Sequence, residues 1–335
     1  MMGIIMNKLS LSAVALIALG VGSASAADLG KVYTKAPPAV AYVSPWDVAF
    51  GAGIMNDYVF RGITQSNHKP AVTAYFEPRY NVNKDLQLYV GSAFSSISFA
   101  NRASAEVDIY GGIRPTFGAL SFDFGVWGYL YPGGSCVDTA PGGAGALCPG
   151  DTNAISLVNG NVMKKDVSFY EVYGKVAYAF TDNFTVGGNV FYSPNFLNTG
   201  ADGTYASITA KYTAPSGWLP NGIGSYVSGE FGRQWLGTSD AFYGLAPLFP
   251  NGINYADYNT WNVGVGFTYS VFTLDLRYSG TDLDKGACNA FTSDFTASGT
   301  GYTAGGINGG APSKWCGDTF IAKLSADLTA AQNLK

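Results

Sequence analysis

Residues 106–133 read EVDIYGGIRPTFGALSFDFGVWGYLYPG. Glu106, Asp108, Tyr110, Gly112 and Arg114 alternate with Val107, Ile109, Gly111, Ile113 and Pro115. Beyond Gly118 the alternation resumes, with Ser121, Asp123, Gly125, Trp127 and Tyr129 set against Leu120, Phe122, Phe124, Val126 and Gly128. A side-chain period of two belongs to a strand whose faces differ in chemistry. A single glycine between two such runs marks a tight antiparallel turn. The stretch therefore reads as two paired strands with one apolar face and one face of charges and tyrosines.

The same pattern extends in both directions. In the run from Lys69, the residues Lys69, Ala71, Thr73, Tyr75, Glu77 and Arg79 share one face, and Pro70, Val72, Ala74, Phe76, Pro78 and Tyr80 the other. Thr273, Asp275 and Arg277 alternate with Phe272, Leu274 and Leu276. Twelve such segments are expected, at 46–64, 69–81, 85–98, 105–117, 119–131, 167–180, 183–194, 203–214, 223–236, 257–269, 271–281 and 318–329. Their connections alternate in length. Val82-Asn83-Lys84, Gly118, Thr181-Asp182, Ala214 to Gly222 and Ser270 are short, whereas 132–166, 237–256 and 282–317 fall among the intervening ones. A soluble sandwich has no reason to sort its loops by parity. An outer-membrane barrel does, with short periplasmic turns, longer outer loops and an even strand number. Trp46 and Trp218 fall at the expected periplasmic ends and Trp235 and Trp261 near the outer ends, as interfacial aromatic girdles require. The fold class is thus all-β, an antiparallel up-and-down transmembrane barrel of about 12 strands.

Composition agrees. Charged residues make up 13% of the chain and aromatic residues 15%, against about 25% charged in soluble domains. No apolar run approaches the roughly 18 residues of a spanning helix. Lys8, the apolar segment Leu9 to Val21 and the small-x-small site Ala24-Ser25-Ala26 read as a signal peptide over 1–26. An extended periplasmic leader over 27–45 and the barrel over 46–330 follow, in the outer membrane of a Gram-negative envelope. Four cysteines allow three pairings; Cys136–Cys148 and Cys288–Cys316 are favoured, because each pair brackets a Gly/Ala-rich loop in an oxidising compartment. One histidine and no CxxC leave no metal site, and no cofactor motif is present. With 19 basic and 23 acidic residues, the net charge of −4 and the lack of a basic patch argue against nucleic acid as a partner.

The polar face collects the strand charges, and these are the expected pore-lining residues: Asp57, Arg61, Glu77, Arg79, Glu106, Asp108, Arg114, Asp123, Glu171, Lys175, Lys211, Glu230, Asp275, Arg277 and Lys323. Unpaired buried charge is costly, so they imply a wet lumen or a paired network. Eight strands enclose an interior that side chains fill, and 16 to 18 leave an open channel; twelve predict a narrow pore. Arg233 breaks the register and would face lipid near the outer end. In DYVFRGITQSNHKP, residues 57–70, parity sends Tyr58 and Phe60 toward lipid and Asp57 and Arg61 toward the lumen. Ser66, Asn67 and His68 could suggest a hydrolase, but successive side chains diverge, so His68 is expected to be a loop residue at the pore mouth, and the chain is expected not to be an enzyme.

The blocks DYVFRGITQSNHKPAVTAYFE, LYVGSAFSSISF, EVDIYGGIRPTFGALSFDFGVWGYLYPG and FYEVYGKVAYAFTDNFTVGGNVFYSPNF resemble the TorF-type porin family of proteobacterial outer membranes. That resemblance implies an outer-membrane barrel with a pore function and supplies neither a substrate nor site residues. The chain departs from such barrels in ending AAQNLK without a terminal aromatic residue. The combined expectation is a monomeric porin-like channel for passive diffusion of small polar solutes or ions. Outer-membrane lipid, lipopolysaccharide and the barrel assembly machinery are its other expected partners. The alternatives are a barrel-embedded lipid hydrolase and a structural or surface-binding protein.

Overall fold

The computed structural model describes residues 45–139, 143–157, 159–298, 307–309 and 311–334. The expected signal segment, and the leader up to residue 44, lie outside them. In chain order the elements are β1 (Trp46–Met55), β2 (Val59–Phe60), β3 (Ile63–Thr64), β4 (Ala71–Asn83), β5 (Leu86–Ser96), β6 (Ala105–Phe117) and β7 (Leu120–Leu130). They continue with β8 (Phe169–Ala179), β9 (Phe184–Ser193), β10 (Gly203–Thr213), β11 (Gly224–Leu236), β12 (Tyr258–Tyr269), β13 (Phe272–Thr281), helix α1 (Lys285–Thr292), β14 (Thr319–Thr329) and helix α2 (Ala330–Asn333). All strands but β2 and β3 form one closed antiparallel barrel of twelve, sealed where β1 pairs with both β4 and β14. The eleven strands after the first lie within two residues of their expected limits.

The first strand is the exception. Expected over 46–64, it stops at Met55. Asn56 takes over the ladder with its side-chain amide, accepting from Ala322 N–H at 2.6 Å and donating to Phe320 O at 2.9 Å. The backbone is then free to leave the wall. It folds into a small hairpin in which Val59 pairs with Thr64 and Phe60 with Ile63. Both residues at its tip have positive φ, Arg61 at 47° and Gly62 at 78°, as a two-residue hairpin turn of the primed type requires. Asp57 holds the base, 2.5 Å from Thr64 Oγ1 and 3.0 Å from Ser66 Oγ. Tyr58, expected to face outward, is instead fully buried. Lys69, expected as the first inward residue of the next strand, is exposed ahead of β4.

The two faces of the wall sort as the alternation requires. Ile208, Phe231, Ile109, Phe320 and Phe76 point outward, each more than half exposed. Every strand of the barrel exposes at least one large apolar side chain, a continuous apolar surface of the kind that soluble monomers avoid. Inside, glycines receive tyrosines from the neighbouring strand. A Cβ on Gly266 would overlap the Tyr226 ring, and one on Gly91 the Tyr110 ring, and both glycines stand directly opposite those tyrosines. The Tyr226 ring so laid along the wall carries its hydroxyl onward to Asp275 at 2.7 Å.

The main apolar core is not in the middle of the barrel. It lies at the long-loop end, where Tyr58, Val59, Ile63, Phe99, Tyr131, Val137, Phe169, Phe196, Ile253, Phe291 and Trp315 pack together. Strand ends, the inward hairpin and the long loops all contribute to this cap. Disulfides Cys136–Cys148 and Cys288–Cys316 brace it, in the pairing expected from loop composition.

Candidate functional site

The inward hairpin places Arg61 inside the barrel beneath the cap. Its Nη1 and Nη2 each lie 2.8 Å from an oxygen of Glu171 on β8, and Nη1 also donates to Gln234 Oε1 on β11 at 2.9 Å. Tyr129 donates to the same carboxylate at 3.1 Å. Aromatic rings surround the guanidinium, with Tyr205 at 4.4 Å and Phe60 at 4.6 Å from its centre. Arg61 is 3% exposed and Glu171 and Gln234 are 0% exposed. A bidentate arginine–carboxylate pair is the strongest of the charge-assisted geometries. Here it ties the loop segment to two separate staves of the wall. Arg61 also carries a positive φ, which residues other than glycine seldom adopt, so the tip is strained as well as clamped.

Other expected residues form satellite networks around this clamp. Glu77 accepts from Arg79 Nε at 2.5 Å and Arg114 Nη1 at 2.8 Å, and Arg114 Nε lies 3.2 Å from Asp123. The Arg114 guanidinium sits 3.6 Å from the Tyr89 ring centre. Glu106 accepts from Tyr58 at 2.6 Å and from Tyr131 at 3.0 Å, and so joins the hairpin to the wall a second time. Neighbouring Asp108 is fully buried, with no hydrogen bond of normal geometry and the Trp127 indole beside it. Across the barrel Glu230 accepts from Tyr205 and Asn262, both at 3.1 Å. Arg277 bonds Asn262, Ser228 and Asp275. Lys175, Lys211 and Lys323 stand on the inner face of β8, β10 and β14, partly exposed, with Lys211 Nζ 4.3 Å from the Tyr226 ring centre.

Asp57 is not part of this wall. It is a cap residue at the base of the hairpin, and the reason is the three partners it gathers there: Thr64, Ser66 and His68. His68 is not a free loop side chain either. Its Nδ1 lies 2.7 Å from Asp57 Oδ2 and its Nε2 2.8 Å from Lys314 O, so one imidazole bridges the hairpin to the disulfide-closed loop. Thr64 N–H donates to Trp315 O at 2.9 Å, and the Trp315 indole N–H to Asn67 at 2.9 Å. Ser66 Oγ meets Asp57 and Lys69 O and accepts from Tyr58 N–H. It makes no hydrogen bond to His68, which a nucleophile–base pair would show.

Sequence reasoning missed Gln234, Tyr205, Tyr129 and Phe191 as partners of Arg61. Their inward parity was readable. What they touch was not, because strand alternation reads the hairpin that brings Arg61 to them as part of the wall.

No curated protein matches the chain in sequence. Among solved structures it is similar to the COG4313 outer membrane channel from Pseudomonas putida F1, with 11% identity, a TM-score of 0.40 and coverage of 88% of this chain and 100% of that one. It is also similar to LpxR from Salmonella typhimurium, with 11% identity, a TM-score of 0.38 and coverage of 84% and 99%. The NanC porin gives 8% identity, a TM-score of 0.38 and coverage of 84% and 97%. These likenesses are of barrel architecture alone. The sequence-based exclusion of enzymatic activity does not stand, because barrels of this architecture include LpxR, an outer-membrane enzyme. The TorF-type resemblance of the motifs is not confirmed; over residues 39–303 the chain matches, and it belongs to, the family described as bacterial protein of unknown function (Gcw_chp).

Proposed function

We propose that this chain is an outer-membrane channel for small polar solutes or ions whose lumen is closed by the 57–66 hairpin and opens when that hairpin withdraws. The observation that carries this reading is the origin of the plug. Arg61 comes from a loop segment, not from the wall, and its partners Glu171 and Gln234 belong to staves that close without it. A barrel that needed only wall-to-wall cross-links would satisfy Glu171 from a neighbouring strand. Several features support the membrane setting. The outer face is apolar, and β7 has 11 residues. At about 3.3 Å per residue and a tilt near 45°, that length spans roughly the 25 Å apolar band of such barrels. The short and long connections also separate to opposite ends.

The solute class follows from the inner face. Buried acid–base networks and partly exposed lysines favour small hydrated species over apolar ones. The test is efflux from proteoliposomes loaded with small neutral, anionic and cationic solutes. Efflux above that of protein-free vesicles, rising in the Arg61→Ala variant, supports the reading. Efflux equal to that of protein-free vesicles in both forms contradicts it.

A further inference from the structure

The outer wall carries a feature that channel function does not use. Among the described residues, Arg233 on β11 is the sole charged side chain on the outward face of the twelve barrel strands. Registers place it in a row that runs Phe124, Gly174, Val190, Ala206, Arg233, Asn259 across β7 to β12. Gly174, Gly188 and Ala206 leave the wall low there, between the Phe122 and Phe124 rings on one side and Ile208 and Phe231 on the other. The result is a furrow of about 630 Å³ with almost wholly apolar walls and Arg233 at its edge. Bound small molecules occupy clefts of about 300 to 1,000 Å³.

Arg233 is three residues from the outer end of β11, about 10 Å along the strand. Its contacts are loose: Asn259 Oδ1 at 3.2 Å and Asp257 Oδ2 at 3.5 Å, with the guanidinium centre 5.7 Å from the Trp235 ring. The side chain stays 41% exposed. A charge on an apolar wall is unfavourable unless it reaches the interface or an opposite charge. Arginine presents a planar fork suited to phosphate.

We infer that this furrow is a binding site for a phosphorylated lipid of the outer leaflet, with an acyl chain lying between Phe124 and Phe231 and a head-group phosphate held by Arg233. This rests on the outer-membrane setting proposed above but not on conduction.

The test is native mass spectrometry of the full chain in detergent, titrated with a diphosphorylated multi-acyl glycolipid and with an uncharged glycolipid bearing the same chains. Wild-type protein is expected to retain the phosphorylated lipid at least tenfold more tightly than the uncharged one. Arg233→Gln is expected to erase that preference, and Gly188→Leu, which fills the furrow floor, to weaken both lipids. A Cβ at Gly188 meets Ser207 O at 3.6 Å, an ordinary contact, so the second variant should fold. An unchanged preference in Arg233→Gln overturns the inference. So does competition by millimolar inorganic phosphate as effective as that by lipid, which would mean a free-phosphate site. Retained conductance in Arg233→Gln, beside lost lipid preference, separates this site from the channel.

Discussion

Glu171 and Arg61 are the residues on which the proposed plug depends. Removing one partner of a buried ion pair leaves the other charge stranded, at a cost of about 3 to 5 kcal/mol. Glu171→Gln keeps the shape and removes the charge, so it should lower unfolding stability by about that much in urea titration of the folded barrel. A loss under about 1 kcal/mol would mean that the pair is solvated and the plug is not dry. His68 acts at the same scale. The hydrogen bond with Asp57 raises its pKa from 6.5, with help from the Lys314 carbonyl and the charge of Asp294, while burial opposes the shift. A raised folded pKa stabilises below the unfolded value and is lost as pH rises through the folded one. The latch between hairpin and loop should therefore hold at pH 5 and loosen by pH 8. Thermal unfolding of wild type should fall across that window more than that of His68→Gln. Equal falls in both would remove His68 as the latch. The inward charges were legible from alternation alone. His68 was not, because its partners lie 11 and 246 residues away in the chain.

At the scale of elements, the hairpin is the part that the alternation concealed. Tyr58, Val59 and Phe60 continue the strand pattern of β1, and nothing in hydrophobic period distinguishes a strand that stays in the wall from one that leaves it. The signal was local: Arg61-Gly62 between two short β-prone runs is a two-residue hairpin, and Asn56-Asp57 supplies the polar side chains that end a ladder. Gly62→Ala should unseat the tip, since its φ is 78° and a Cβ would lie 2.7 Å from Thr281 Cβ. A destabilisation of about 1 to 3 kcal/mol is expected, read as faster proteolysis within 57–68 than in wild type. The disulfide Cys288–Cys316 closes a separation of 28 residues against that hairpin. Replacing both cysteines with serine should cost the cap about 3 to 4 kcal/mol and expose 282–317 to protease while leaving the barrel heat-modifiable on gels. An intact protease pattern would show that packing alone holds the loop.

At the scale of the molecule, the barrel itself was readable because two independent patterns agree. One is the period of two along each strand, and the other is the alternation of short and long connections. Each fails alone, since a sandwich has the first, but only a barrel needs both. The packing along the inner face was less readable. Residues on one face of a strand can line water or pack against a neighbour, and the difference depends on glycine–tyrosine pairs such as Gly266 with Tyr226, whose partners are set by register. The apolar cap over the long-loop end has the same origin. The proposed closure of the lumen rests on the Arg61 hairpin and its clamp to Glu171. Single-channel recording of wild type and Arg61→Ala in a planar bilayer tests it most directly, with Glu171→Gln as the variant that spares the hairpin's own sequence. Rare or brief steps are expected in wild type and frequent, larger ones in both variants. Identical records from all three proteins, whether silent or conducting, would contradict it.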